Sequence, residues 1–195
     1  MTTEKDKIDL MDESDRGAVI VGADILSNCL EEVLSRTFKK NNIPLKIYNE
    51  MYNSNGPLAN FSSKISICYS FGIIKRETYD DLHKIRKIRN NLSHSFTVFN
   101  FNSADIGQKI ENLNVYEEAN KLTKINKRYS LTTHEDDIKK DSHTDSKPEK
   151  TNEDFPYWFA RSRGLVSYNK SLFCICLILI ERDIYESFIA YNRAN

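Results

Sequence analysis

Between residues 12 and 40 the apolar positions Ala18, Val21, Gly22, Ile25, Leu26, Cys29, Leu30 and Val33 return at the spacing of one helix face. Asp24, Asn28, Glu31 and Ser35 fall opposite, so Asp12 to Lys40 is predicted as an amphipathic helix with Asp12 or Ser14 as its N-cap. Asn41-Asn42-Ile43-Pro44 ends it, because the residue before a proline is pushed out of the helical region. A short helix or irregular stretch follows through Tyr52, and SNGPLAN (54–60) has strong turn chemistry. From about Asn60 to Phe71 a helix would carry Phe61, Ile65, Cys68 and Tyr69 inward, with Gly72 suited to the position past its end. Leu82, Ile85, Ile88, Leu92 and Phe96 stripe another helix from about Lys75 to Ser93, and a weaker pattern spans Ser103 to Leu113. The run LFCICLILI (172–180) lies in a last helix from about Ser167 to Tyr191 that is apolar nearly all round, which puts it at the centre of a bundle. Strand-like alternation and internal repeats are absent from the sequence. The fold class is all-α, a compact helical bundle of about five to seven helices.

One stretch breaks the pattern. Residues 130–154 contain no aromatic residue and only Leu131 and Ile138 as large apolar ones, too little to repay the entropy of ordering. Apolar sequence resumes after them, so the chain reads as a single helical domain over 1–195 with a disordered insertion at about 130–154 and a frayed N-terminus at 1–11. The longest apolar run is far shorter than the roughly 20 residues of a membrane span, and no basic-then-apolar leader opens the chain. The expectation is a soluble, cytoplasmic protein with no membrane partner.

The 28 basic and 28 acidic residues cancel, so overall charge calls for neither nucleic acid nor an anionic membrane. Cys29, Cys68, Cys174 and Cys176 sit in apolar periodic segments without the paired spacing of a zinc site, and read as reduced core residues. His134 and His143 read as solvated residues of the insertion, Tyr157, Trp158 and Phe159 as a core anchor. No metal and no cofactor is expected.

The stretch that asks for an explanation is IRNNLSHS (88–95). Arg89 falls within the apolar stripe, where a guanidinium must be paired, and Asp15 or Asp24 of the first helix are the available carboxylates. This predicts a buried Arg89 ion pair. His83, Asn90 and His94 cluster on another face, and Arg89 and His94 point about 140° apart on an ideal helix. They converge only if the helix stops before His94 or a second copy of the chain supplies one of them. Two readings stay open. Arg89, Asn90 and His94 could act on a phosphodiester, histidine as acid–base and arginine holding the developing charge; or Arg89 staples helices while Asn90, Asn91 and His94 cap a helix end. Lys84, Arg86, Lys87 and Arg89 are spread around their helix, not along one phosphate-tracking face, and no helix-turn-helix is recognisable, so sequence-specific DNA binding is not expected.

Three blocks, ESDRGAVIVGADILSNCLEEVL (13–34), NGPLANFSSKISICYSFGII (55–74) and YDDLHKIRKIRNNLSHSF (79–96), together resemble the mannitol operon repressor family over about residues 10 to 115. The motif residues that carry the likeness are Asp15 and Arg16, Asn55, Gly56 and Pro57, and Arg86, Arg89, Asn90 and His94. The insertion and Ser93, where the family more often has alanine, depart from it. The resemblance implies an all-helical negative regulator or co-repressor of transcription that works through a protein partner, with no DNA-binding motif of its own; a homodimer is also expected. More distantly, Arg89-x4-His94 with Asn90 after the arginine looks like the motif of HEPN domains, many of them metal-independent endoribonucleases of the toxin type. Under that alternative Arg89, Asn90 and His94 would be catalytic and RNA the substrate; under the first reading the chain is not an enzyme.

Overall fold

A computed structural model describes residues 10–94, 99–124 and 167–194, apart from the side chains of residues 93 and 94. Helix is the only regular structure among them: α1 (Asp15–Lys40), α2 (Leu45–Tyr52), α3 (Phe61–Ser70), α4 (Arg76–His94), α5 (Ala104–Glu111) and α6 (Tyr168–Ala194). Residues 116–124 form a further helical stretch that the periodicity did not announce. The all-α expectation holds. The insertion at 130–154, Phe96, the two insertion histidines and the Tyr157–Phe159 cluster lie outside the described residues.

The caps follow local chemistry. Ser14 is the N-cap of α1, its Oγ accepting from the Gly17 amide at 3.0 Å, and Asp15 in the first turn with Lys39 and Lys40 in the last complement the helix dipole. Past its end Asn42 takes a φ of 55° just before Ile43-Pro44. Asn60 caps α3 by accepting from the Ser63 amide at 2.9 Å, and Gly72 follows that helix in the left-handed region at φ 70°.

α1 and α6 form the centre. α1 packs against α6, α4 and α3; α6 also meets α4 and α5. α1 and α6 run parallel: Lys170 lies 4.0 Å from Asp15 at one end, and Lys40 Nζ donates to Asn192 Oδ1 at 3.5 Å at the other. Gly22 permits their close approach, because a Cβ there would stand 2.3 Å from Leu177 Cδ1. In α6 every residue from Leu172 to Glu181 is buried except the half-buried Ile178, as its all-round apolarity requires. All four cysteines are free and buried. Burial, with the Glu181 charge next, pushes the Cys29 thiol up to about 11, and burial pushes Cys68 and Cys174 to about 12, so none is poised as a thiolate.

Several expectations need correction. Leu10 and Met11, assigned to a frayed terminus, form a helical turn with Asp12 and are buried in the core. On α1 the buried arc is about 160° wide at 100° per residue and centred on Leu26. It takes in Val19 and Ala23 and leaves Val21 37% exposed, because three helices, not one, cover α1. Tyr69 stands at the edge of the buried face of α3, partly exposed, with its ring 4.5 Å from that of Tyr79 on α4.

Candidate functional site

The motif residues do not gather in one place: Arg16 and Arg89 lie along the antiparallel seam of α1 and α4, Asp15 lies at the end of the bundle where α6 begins, and Arg86 and Asn90 lie on the outer side of α4. Two arginines cross the seam in opposite directions. Arg16 of α1 donates from Nη2 to the Leu92 carbonyl at 2.8 Å, satisfying one of the acceptors that the last turn of α4 leaves open. Arg89 of α4 donates from Nη2 to Asp24 Oδ1 at 3.2 Å. The expected carboxylate from the first helix is therefore found, but the expected burial is not: the two side chains are 39% and 56% exposed. Arg89 sits at the lip of the seam, where its guanidinium reaches solvent while its stem follows the apolar stripe. An ion pair so exposed contributes about 0–1 kcal/mol. Arg89→Ala should accordingly lower the unfolding free energy by no more than about 1 kcal/mol. A loss above 3 kcal/mol in urea titration would restore the buried pair.

Asp15 faces the other way. Its Oδ2 accepts from the Phe101 amide at 3.1 Å, and Asn169 Nδ2 donates to the Phe101 carbonyl at 2.9 Å. The fully buried Phe101 is thus fastened on both sides, by α1 and α6. The buried Lys170 donates from Nζ to the Glu13 carbonyl and lies near Asp15, so the D-R-G block ties the starts of α1 and α6 to the end of α4. Asn55, Gly56 and Pro57 lie elsewhere, in a turn closed by Gly56 N to Asn53 O at 2.8 Å and Leu58 N to Met51 O at 2.8 Å, with Leu58 fully buried beneath it. Asp15, Arg16, Gly56 and Arg89 thus make contacts that join elements of the bundle.

α4 is helical through His94, so the helix break that would let Arg89 and His94 meet within one chain is absent. Asn90 is exposed. Among the described residues no group of three or more metal-ligating side chains is present. Of the KIRKIR cations, Lys84 is spent on Asp81 Oδ1 at 3.0 Å and on the Asn112 carbonyl at 2.7 Å, and Arg89 on Asp24. Lys84 and Lys87 do share one groove of about 540 Å³ with Lys109 of α5, an alignment invisible on α4 alone; yet Lys109 pairs with Asp105 at 2.5 Å. Arg86 and Lys87, the two without a polar partner among the described residues, do not make a phosphate-tracking stripe.

Sequence reasoning missed the strongest polar centre. Asp81 is fully buried and accepts from the Asn114 amide at 2.8 Å, Asn114 Nδ2 at 2.9 Å, the Val115 amide at 3.2 Å and Lys84. It anchors the start of the 116–124 stretch onto α4. Lys64 is another: 6% exposed, it donates to Glu31 Oε2 at 2.6 Å and Ser27 Oγ at 3.3 Å, joining α3 to α1. A lysine at a core-facing position of α3 with Glu31 on the neighbouring helix was the available signal.

Comparison with known proteins agrees with this architecture. The mannitol repressor family model matches residues 7–143. The mannitol operon repressors of Escherichia coli strain K12 and of Escherichia coli O6:H1 strain CFT073 are each 24% identical over 92 residues, 47% of this chain and 47% of theirs. The match thus spans about half the length of these curated relatives. A solved structure of the MtlR–HPr complex from Escherichia coli is similar in fold, with a TM-score of 0.61 at 16% identity, covering 93% of this chain and 97% of that one. No described helix is long and apolar enough to cross a membrane. With a family model matching well over half its length and an all-helical bundle like that of the solved structure, the chain belongs to the mannitol repressor family.

Proposed function

We propose that this chain is a negative regulator of transcription, or co-repressor, of the mannitol-repressor type, which acts in the cytoplasm as a homodimer through protein contacts and does not itself read DNA sequence. The observation that carries the reading is family membership together with likeness in fold, over nearly the whole chain, to a protein solved in complex with HPr. The spent cations of α4 add to it, since a protein that binds DNA on its own needs a continuous basic face. The ribonuclease alternative gains no support from the comparisons, and α4 running unbroken past Arg89 and Asn90 closes the route by which Arg89 and His94 would meet within one chain.

The test is direct. Purified full-length chain is titrated with HPr in a calorimeter and, separately, incubated with an operator fragment and a scrambled duplex at physiological salt. Saturable heat with HPr and an operator preference well below the 10³-fold typical of specific binding is the expected result. An operator preference above that level without any partner, or no interaction with HPr, counts against the reading. Incubation of the same preparation with RNA and chelator should leave the RNA intact.

A further inference from the structure

Between Leu82 and Ala104 the chain carries no aspartate or glutamate, although acids and bases balance overall. Lys84 and Arg89 are consumed by contacts within the bundle, which leaves Arg86 and Lys87 as the cations this stretch presents outward. At 100° per residue Arg76, Tyr79, His83, Arg86, Lys87 and Asn90 fall within about 100° of arc, opposite the buried Leu82, Ile85 and Ile88. They form one ridge along α4.

The ridge has an aromatic wall. Tyr69 from α3 lies 4.5 Å from Tyr79, and Tyr79 lies 4.5 Å from the imidazole of His83, ring centre to ring centre. The Arg76 guanidinium stands 5.9 Å over Tyr69 and 5.6 Å over Tyr79, with its charge answered by Asp80 at 3.0 Å. Beside Tyr69, at the end of α3, Phe71 is 62% exposed. Tyrosine and arginine are the residues enriched where proteins bind proteins.

The ridge is also unfinished. His83 Nε2 and Arg86 Nε are shielded from water without a hydrogen-bond partner, one helical turn apart. Shielded polar atoms are normally satisfied; Arg86 Nε, always a donor, lacks an acceptor, and His83 Nε2 lacks a partner. Burial first, and then the charges of Arg86 and Lys87, hold His83 below its ordinary range.

We propose that Tyr69, Phe71, Tyr79, His83, Arg86 and Lys87 form a docking surface for a protein segment that presents one or two carboxylates beside an apolar side chain. The carboxylate seats against Arg86 and Lys87 and supplies the missing acceptor as those side chains turn toward it; the apolar side chain covers Phe71 and Tyr69. Two free cations match that demand, whereas a nucleic acid is held by roughly 6–10 phosphate contacts. The proposal rests on the reading of the chain as a regulator that works through protein contacts, and it adds a surface and the chemistry of its occupant.

The probe is a phage-displayed library of random dodecapeptides, selected on the immobilised full chain. Enriched peptides should carry Asp or Glu next to a large apolar residue, and the synthesised peptides should bind at least tenfold more weakly to Arg86→Glu/Lys87→Glu and to Phe71→Ala. Changing the peptide carboxylate to lysine should restore binding to the charge-reversed protein, a rescue that unfolding could not mimic. Selection without acidic enrichment, or equal binding to the charge-reversed protein, overturns the proposal. So does single-stranded RNA that binds more tightly than the peptides and is lost in the same variant. HPr titrated onto the wild type and onto Arg86→Glu/Lys87→Glu separates the two ideas. If wild type binds HPr but yields no acidic peptides, only the surface falls; if HPr binds neither protein while the peptides behave as expected, only the HPr reading falls.

Discussion

Replacing Asp81 by alanine is expected to lower the unfolding free energy by about 3–5 kcal/mol, the cost of breaking a buried charged network by removing one partner. The carboxylate is inaccessible to solvent and holds four donors: Lys84, the Asn114 amide and side chain, and the Val115 amide. Alanine would strand the buried Val115 amide and remove the acceptor of the part-buried Asn114 amide at the entry to the 116–124 stretch, and a buried unsatisfied donor costs about 1–3 kcal/mol. Asp81→Asn should lose less, since its amide oxygen can still accept from one or two of these donors. Asp80→Ala, one residue away, removes only an exposed pair with Arg76 and serves as the control. Urea denaturation of the three variants decides the matter. An Asp81→Ala midpoint close to that of Asp80→Ala would show that the buried network contributes nothing.

That contrast explains what the sequence made legible. Tyr79-Asp80-Asp81-Leu82 offers two aspartates at the start of a charged helix, and helical phase already separates them: Asp81 shares the apolar stripe of Ile85, Ile88 and Leu92, while Asp80 falls on the polar face with Arg76 and Lys87. What no local pattern shows is what satisfies the buried carboxylate, because Asn114 and Val115 return to it across 33 and 34 residues. Apolar periodicity, by contrast, is local: it located α1, α3, α4, α5 and α6 to within a few residues and placed α6 at the centre. It centred the α1 stripe too near Val21, because a helix gripped from three sides buries a wide arc and its midpoint depends on the neighbours. Arg89 shows both sides of the lesson. Its place in the apolar stripe correctly demanded a carboxylate from α1, yet position on one helix does not say how far the next helix overhangs it, and the seam leaves the pair open. The ridge of Tyr79, His83 and Arg86 lies on the face where His83 and Asn90 were seen to cluster, but its aromatic wall needs Tyr69 from α3.

Gly56→Ala should be the most damaging substitution of a glycine in the described chain, at about 3 kcal/mol, the upper part of the usual cost of overpacking. A Cβ at residue 56 would stand 2.3 Å from the Met51 carbonyl oxygen and 2.4 Å from that of Glu50. These are backbone atoms of α2, so no side-chain rotation relieves the clash and the turn itself must lift. Lifting it breaks the hydrogen bonds that the Gly56 and Leu58 amides donate to the Asn53 and Met51 carbonyls, and it withdraws the fully buried Leu58 from the core. Gly22→Ala meets only the far end of the Leu177 side chain, which can shift within a packed core at smaller cost. Gly107→Ala, inside α5, finds its nearest neighbour 3.8 Å away and should be neutral or stabilising by up to about 1 kcal/mol, from helix propensity. The order expected in thermal unfolding is therefore Gly107→Ala above wild type or level with it, Gly22→Ala below, and Gly56→Ala lowest. A Gly56→Ala midpoint at or above that of Gly22→Ala would mean that the turn yields easily, and that N-G-P-L owes its place in the motif to something other than this close approach.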